Sequence, residues 1–163
     1  MAGTTSAATP RNGRQAGPRF FNNGKRLLLM QVIVVGYDGS QHAKKALQFA
    51  KALSERFGSK VYVLYVVDTA LGSLSEAFSA SFLKYLRDDG ERALREAKSL
   101  LPNAETKLLE GDPPHEIVAF AREVKADLIV VGSRGLSTIR RSILGSVASR
   151  LLQESDISVL VVK

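Results

Sequence analysis

The chain has 163 residues, 45% apolar and 24% charged, with no cysteine, two histidines and a formal net charge of +7. That length and balance point to one globular domain with a core of its own. The absence of cysteine excludes disulfides, thiolate metal sites and cysteine nucleophiles. His42 and His115 lie far apart without ligand spacing, which argues against zinc, and apolar runs such as 27–30, 32–35 and 128–131 are far too short for a membrane span.

The basicity is concentrated at one end. Residues 1–26 hold Arg11, Arg14, Arg19, Lys25 and Arg26 and no acid, which leaves 18 basic and 16 acidic residues, or +2, on the remainder. The domain is therefore close to neutral, and nucleic acid is not an expected partner of it. Residues 1–24 are rich in Gly, Thr, Ala, Asn and Arg with little to bury, so 1–29 reads as a disordered basic leader before a domain at 30–163. The leader has three readings: an organellar transit peptide, a tail for acidic surfaces, or an extended start ahead of an initiating Met30. A secretory signal does not fit, because 27–35 lacks a small-residue cleavage site and runs straight into a strand. A cytoplasmic location is expected.

From residue 31 the pattern alternates between two periods. The β-branched run 32–35 closed by Gly36 predicts a strand buried on both faces. Ala43, Ala46, Leu47, Ala50, Leu53 and Phe57 recur at helical spacing, and Gly58 ends that helix. A second strand is predicted over 61–67. Residues 68–80 are Ser/Ala-rich and ambiguous, and a longer helix is predicted from Phe82 to Leu101, stopped by Pro102. A weak third strand at 106–109 leads to Asp112 as an N-cap, with Pro113 and Pro114 in the first turn of a helix carrying Ile117, Val118, Ala121 and Val124. A fourth strand at 128–131, a helix within 143–153 and a fifth strand at 157–162 complete the chain. Strand and helix alternating in this way give an α/β fold, a mainly parallel sheet with helices on both faces and right-handed crossovers. Ligands of such open sheets sit beyond the carboxyl ends of the strands.

Two segments stand at those positions. Gly36-Tyr37-Asp38-Gly39-Ser40 follows the first strand, and Gly132-Ser133-Arg134-Gly135 follows the fourth, with Gly145-Ser146 nine residues further on. Glycines admit positive φ and close approach of a ligand, successive N–H groups form an anion-binding concavity, and a helix opening at Gly145-Ser146 offers free donors. Arg134, Arg140 and Arg141 add positive charge. A G-x-x-G after a strand is also an ordinary turn, and Gly-Ser before a helix an ordinary cap. There is no Walker lysine motif and no G-x-G-x-x-G after the first strand.

The spacing Gly132-x-x-Gly135-x9-Gly145-Ser146 resembles the ATP-binding signature of the universal stress protein family. The stretches VIVVGYDGS (32–40), EGDPPHEI (110–117), ADLIVVGSRG (126–135) and ISVLVVK (157–163) resemble the family's strands and turns across residues 30–163. The resemblance implies an open, doubly wound five-stranded parallel sheet in the order 3-2-1-4-5, a Rossmann-like nucleotide-binding fold with ATP, accompanied by Mg²⁺, between strands 1 and 4. It implies that Gly36, Tyr37 and Asp38 border the adenosine, Val66 lines the adenine pocket, and Val131 and Gly132 lie along the ribose. Gly135, Gly145, Ser146 and Val147 would hold the phosphates through backbone groups. Ala148 stands where a hydroxyl residue is frequent, and Tyr37 replaces smaller residues, so it would crowd or stack on the nucleoside.

Asp38 has two readings: a hydrogen bond to the nucleoside or a place near the metal, or a turn-forming acid before a helix capped by Ser40. His42 and His115 fall in first helical turns and are expected to face solvent. No residue of these loops is evident as a catalytic group orienting an attacking water. An ATP-binding stress-response regulator or sensor is therefore the first functional reading. A slow ATPase or phosphotransferase using the same site is the alternative, and a scaffold dominated by the basic tail is the third. Pairing of the apolar edge strand from Ile157 to Val162 with its own copy predicts a homodimer, which the resemblance also implies.

Overall fold

The computed structural model describes residues 21–22, 25–26, 30–72, 76–136 and 144–163. Ahead of the domain, Phe21–Asn22 and Lys25–Arg26 pair antiparallel. The other leader residues and Arg140 and Arg141 lie outside the described residues.

Five strands form one parallel sheet: β1 (Val32–Gly36), β2 (Lys60–Asp68), β3 (Glu105–Gly111), β4 (Leu128–Gly132) and β5 (Ser158–Val162), in the order β3-β2-β1-β4-β5. The expected 3-2-1-4-5 order is what the structure has. Four helices connect them: α1 (Gln41–Phe57), α2 (Glu76–Leu100), α3 (Pro113–Glu123) and α4 (Ser146–Glu154).

Side chains alternate across each strand, and the sheet divides the core in two. Ile33 and Val35 of β1, Val63 and Val67 of β2 and Val130 of β4 meet Ala46, Leu47 and Ala50 of α1 and Ala97 of α2. Val34, Leu64, Ile129 and Val131 point the other way, onto Ile117, Val118 and Ala121 of α3 and Leu151 of α4. Strands covered on both faces must be apolar at every position, which is why β1 and β4 read as unbroken runs.

Local signals set the ends of the elements. Ser40 Oγ accepts from Ala43 N (3.1 Å) to cap α1, and Gly58 ends it at φ 71°. At the start of β1, Asp127 Oδ2 accepts from the N–H groups of Gln31 (2.7 Å) and Val32 (3.0 Å), tying that strand to the approach of β4. Two elements run longer than their sequence signals. α2 begins six residues before Phe82, because Ala- and Ser-rich sequence tolerates helix beyond the stripe that is buried. β3 extends to both sides of 106–109, because its ladder to β2 runs from Tyr62–Glu105 to Asp68–Gly111 whatever its charged residues favour.

The face under α1 and α2 also takes two tyrosines. Tyr37 is 3% exposed and donates its hydroxyl to Glu96 Oε2 (3.1 Å), while Tyr65, 8% exposed, donates to Asp89 Oδ2 (3.3 Å). Burial, with the neighbouring Asp89 carboxylate, pushes Tyr65 up to about 12, and burial with Glu96 pushes Tyr37 higher still. Both folded-state values lie above the ordinary tyrosine value of 10.0, so this contribution to stability is complete below pH 10 and is lost as pH rises through the folded values. Urea midpoints should therefore fall between about pH 10 and 12. Tyr65→Phe should recover on the order of 2 kcal/mol of the loss at the top of that window. Equal slopes for the two proteins would refute the assignment.

Candidate functional site

A cavity of about 260 Å³ opens at the carboxyl ends of β2, β1 and β4, lined by all ten residues anticipated from the sequence: Gly36, Tyr37, Asp38, Val66, Val131, Gly132, Gly135, Gly145, Ser146 and Val147. They lie up to 111 positions apart in the chain, from Gly36 to Val147, brought together because Gly36 stands opposite Leu64 on one side and Val131 on the other. Leu64, Val66 and Ile117, missed by spacing or unassigned to chemistry except for Val66, form an apolar wall on the α3 side.

The positive φ expected of the motif glycines is found elsewhere. Positive φ among described glycines belongs to Gly39, Gly58 and Gly111, and not to Gly36, Gly132, Gly135 or Gly145. Those four sit where the fold leaves little space for a side chain, least of all at Gly132. A Cβ on Gly132 would stand 2.7 Å from the carbonyl carbon of His42 and 2.8 Å from Ala43 N. On Gly135 it would meet Asp38 Oδ2 at 2.6 Å, and on Gly36 the Val131 Cγ1 at 2.9 Å. Gly145 is looser, 3.3 Å from Arg134 Cα and Ser133 O. The motif therefore encodes how closely the loop packs on α1 and β1.

Asp38 is the tie between the two loops. Its Oδ1 accepts from Ser40 N (3.0 Å), forming the turn into α1, and its Oδ2 accepts from Leu136 N (3.1 Å). Ser40 Oγ adds a bond to Arg134 O (3.3 Å). On the far side, Ser133 N donates to Val162 O (2.7 Å) and Gly145 N to Ser133 O (2.8 Å), so the head of α4 is fixed to the end of β4.

Tyr37 departs from expectation. Its ring belongs to the core under α1 and α2, with its hydroxyl on Glu96, so it neither crowds nor stacks on the cavity's contents; its backbone stays at the wall, with Tyr37 N donating to Leu64 O (2.8 Å). Ala148 is 1% exposed, and its methyl packs in the core between β4 and α3. His115 is exposed, whereas His42 is half-buried where α1 passes Gly132.

The head of α4 is the polar end of the cavity. The first intrahelical bond runs from Ser149 N to Gly145 O (2.9 Å), and no side chain caps the helix. The N–H groups of Ser146, Val147 and Ala148 therefore have no partner among the described residues, and all three residues line the cavity. The other helices opening near it are closed differently. α1 is capped by Ser40, and α3 starts with two prolines, which have no N–H. Asp112 sits at the N-cap of α3 without making a side-chain cap bond; Arg150 of α4 takes its Oδ1 at 2.7 Å and holds its carboxyl below the usual range. That ion pair bridges α3 and α4 behind the cavity. Among the described residues no group of three or more His, Asp or Glu is placed to hold a metal, and no helix is long and apolar enough to cross a membrane.

Residues 30–163 match the family model described as the universal stress protein family. A universal stress protein of Methanocaldococcus jannaschii is 37% identical over 147 residues, covering 86% of this chain and 85% of that protein. One from Thermus aquaticus is 34% identical over 137 residues, covering 83% of this chain and 100% of its own. Among solved structures, the universal stress protein UspA of Lactobacillus plantarum superposes with a TM-score of 0.73 at 26% identity, covering 82% of this chain and 98% of that one. A universal stress protein in complex with cAMP gives 0.64 at 32% identity, over 83% and 98% of the two chains. One from Archaeoglobus fulgidus in complex with dAMP gives 0.57 at 26% identity, over 84% and 100%. Sequence and fold agree over the whole domain: the chain belongs to the universal stress protein family.

Proposed function

We propose that the protein is an ATP-binding regulator or sensor of the stress response, which holds the nucleotide across the carboxyl ends of β2, β1 and β4. One observation carries this reading: three N–H groups at the head of α4, unpaired among the described residues, in the wall of a cavity whose other end is apolar. Free donors and the helix dipole favour an anion there, Arg134 adds charge, and the apolar wall suits a flat base. Adenine nucleotides in two relatives, cAMP and dAMP, support the same chemistry. Mg²⁺ would be held by phosphate oxygens and water, in keeping with its reluctance to dehydrate and with the lack of a carboxylate cluster among the described residues. Both oxygens of Asp38 already accept backbone N–H groups, which favours holding ATP over hydrolysing it.

The same reading makes the protein a cytoplasmic homodimer. Among the described residues β5 pairs only with β4, and its other edge carries Val159, Leu160 and Val161, whereas the opposite edge of the sheet, β3, is blunted by Glu105, Lys107 and Glu110. Native mass spectrometry of the purified protein tests both statements. The expected species is a dimer carrying ATP, or taking it up from millimolar ATP–Mg²⁺. A species that binds none ends the nucleotide reading, and a monomer at tens of micromolar ends the pairing.

A further inference from the structure

The cavity has a carboxylate that the nucleotide reading leaves without a task. Asp68 is the last residue of β2 and lines the cavity. Strand alternation puts it on the same side as Leu64 and Val66 of the apolar wall. Its Oδ1 accepts from Ala70 N (3.0 Å), while its Oδ2 makes no hydrogen bond among the described residues. Asp38, the other acid of the cavity wall, has each oxygen on a backbone N–H.

The position of that free oxygen decides what it can meet. The donors of α4 and the side chain of Arg134 stand at the β4 end of the cavity, and β2 is two strands away, about 10 Å across the sheet. The cavity is thus polarised: anion-binding over β4, apolar over β1 and β2, and acidic just beyond Val66. A ligand that fits both ends has phosphate at one and a hydrogen-bond donor at the other. In a nucleotide whose base lies against Leu64, Val66 and Ile117, the group reaching furthest from the phosphates is the outer edge of the base.

We infer that Asp68 is a specificity-determining residue, whose free carboxylate oxygen accepts a hydrogen bond from the exocyclic amine of an aminopurine. This rests on the nucleotide reading and adds to it: the apolar wall accepts any flat base, and Asp68 selects one with an amine donor at that edge. An acceptor there would be left facing an unpaired carboxylate.

The test compares ATP with purine riboside triphosphate, which has hydrogen in place of the amine, by equilibrium titration of the full chain. Wild type is expected to favour ATP by about tenfold or more, the scale of one hydrogen bond to a charged group. Asp68→Asn keeps an oxygen for Ala70 N and puts an amide donor where the free oxygen was, so the preference should vanish or reverse. Asp68→Ala should abolish it without reversal, and circular dichroism checks that both variants fold. Equal binding of the two nucleotides by wild type, or an unchanged preference in both variants, overturns the role of Asp68 and leaves the nucleotide site standing. Failure of wild type to bind either nucleotide at millimolar concentration overturns both.

Discussion

Ser146→Glu is expected to weaken ATP binding by about tenfold to a hundredfold while leaving the melting temperature unchanged or slightly raised. The two effects have opposite signs because they come from the same charges. Ser146 is exposed at the first position of α4, so its side chain is not needed for packing. A carboxylate there complements the helix dipole and adds roughly 0.3–1 kcal/mol of stability. It also occupies the anion position and repels the phosphates. Ser146→Ala should cost little, since the backbone N–H groups of Ser146, Val147 and Ala148 remain. Titration calorimetry with ATP–Mg²⁺ and a thermal melt check both arms. Undiminished affinity in the glutamate variant would mean that the phosphates do not lie at the head of α4.

Gly132→Val should destabilise the domain by about 3 kcal/mol or prevent folding, a loss of roughly 10 °C in melting temperature. The added Cβ would press on backbone atoms of His42 and Ala43 in the first turn of α1, and backbone inside a capped helix has nowhere to go. Gly58→Ala is the contrast. Nothing stands within 4 Å of that Cβ, and the cost is confined to a left-handed φ of 71°, on the order of 1 kcal/mol. Similar midpoints for the two variants in urea would show that crowding at Gly132 is relieved by movement of α1.

Much of this architecture was legible in the chain. β1 and β4 are each a run of four β-branched or aliphatic residues closed by a glycine, and α1 has both its cap and its stop in the sequence. β3 was weak because its stability comes from pairing with β2, and its own residues are those of a solvated edge. The start of α2 was obscured because Ser- and Ala-rich sequence has no stripe to betray a helix. The glycine spacing falls on the loops that line the cavity, without the positive φ expected of it. Positive φ and close approach of a ligand were the reasons offered for Gly36, Gly132, Gly135 and Gly145; the first is not found, and close packing of the fold itself stands in its place, tightest at Gly132.

The sequence by itself determined the order of elements, the ends of the best-defined strands and helices, and the loops at which a ligand site would lie. Those follow from local physics: side-chain period, cap chemistry and glycine at strand ends. What only the tertiary structure decided is which way each residue at those ends faces and what stands opposite it. Tyr37 turns into the core to meet Glu96 on α2, Asp38 reaches across to Leu136, and Asp68 keeps an oxygen beyond Val66 without a hydrogen bond among the described residues. Each outcome depends on the register of parallel strands joined by long crossovers, so the partner is set by the packing of the whole sheet and not by neighbours in the chain.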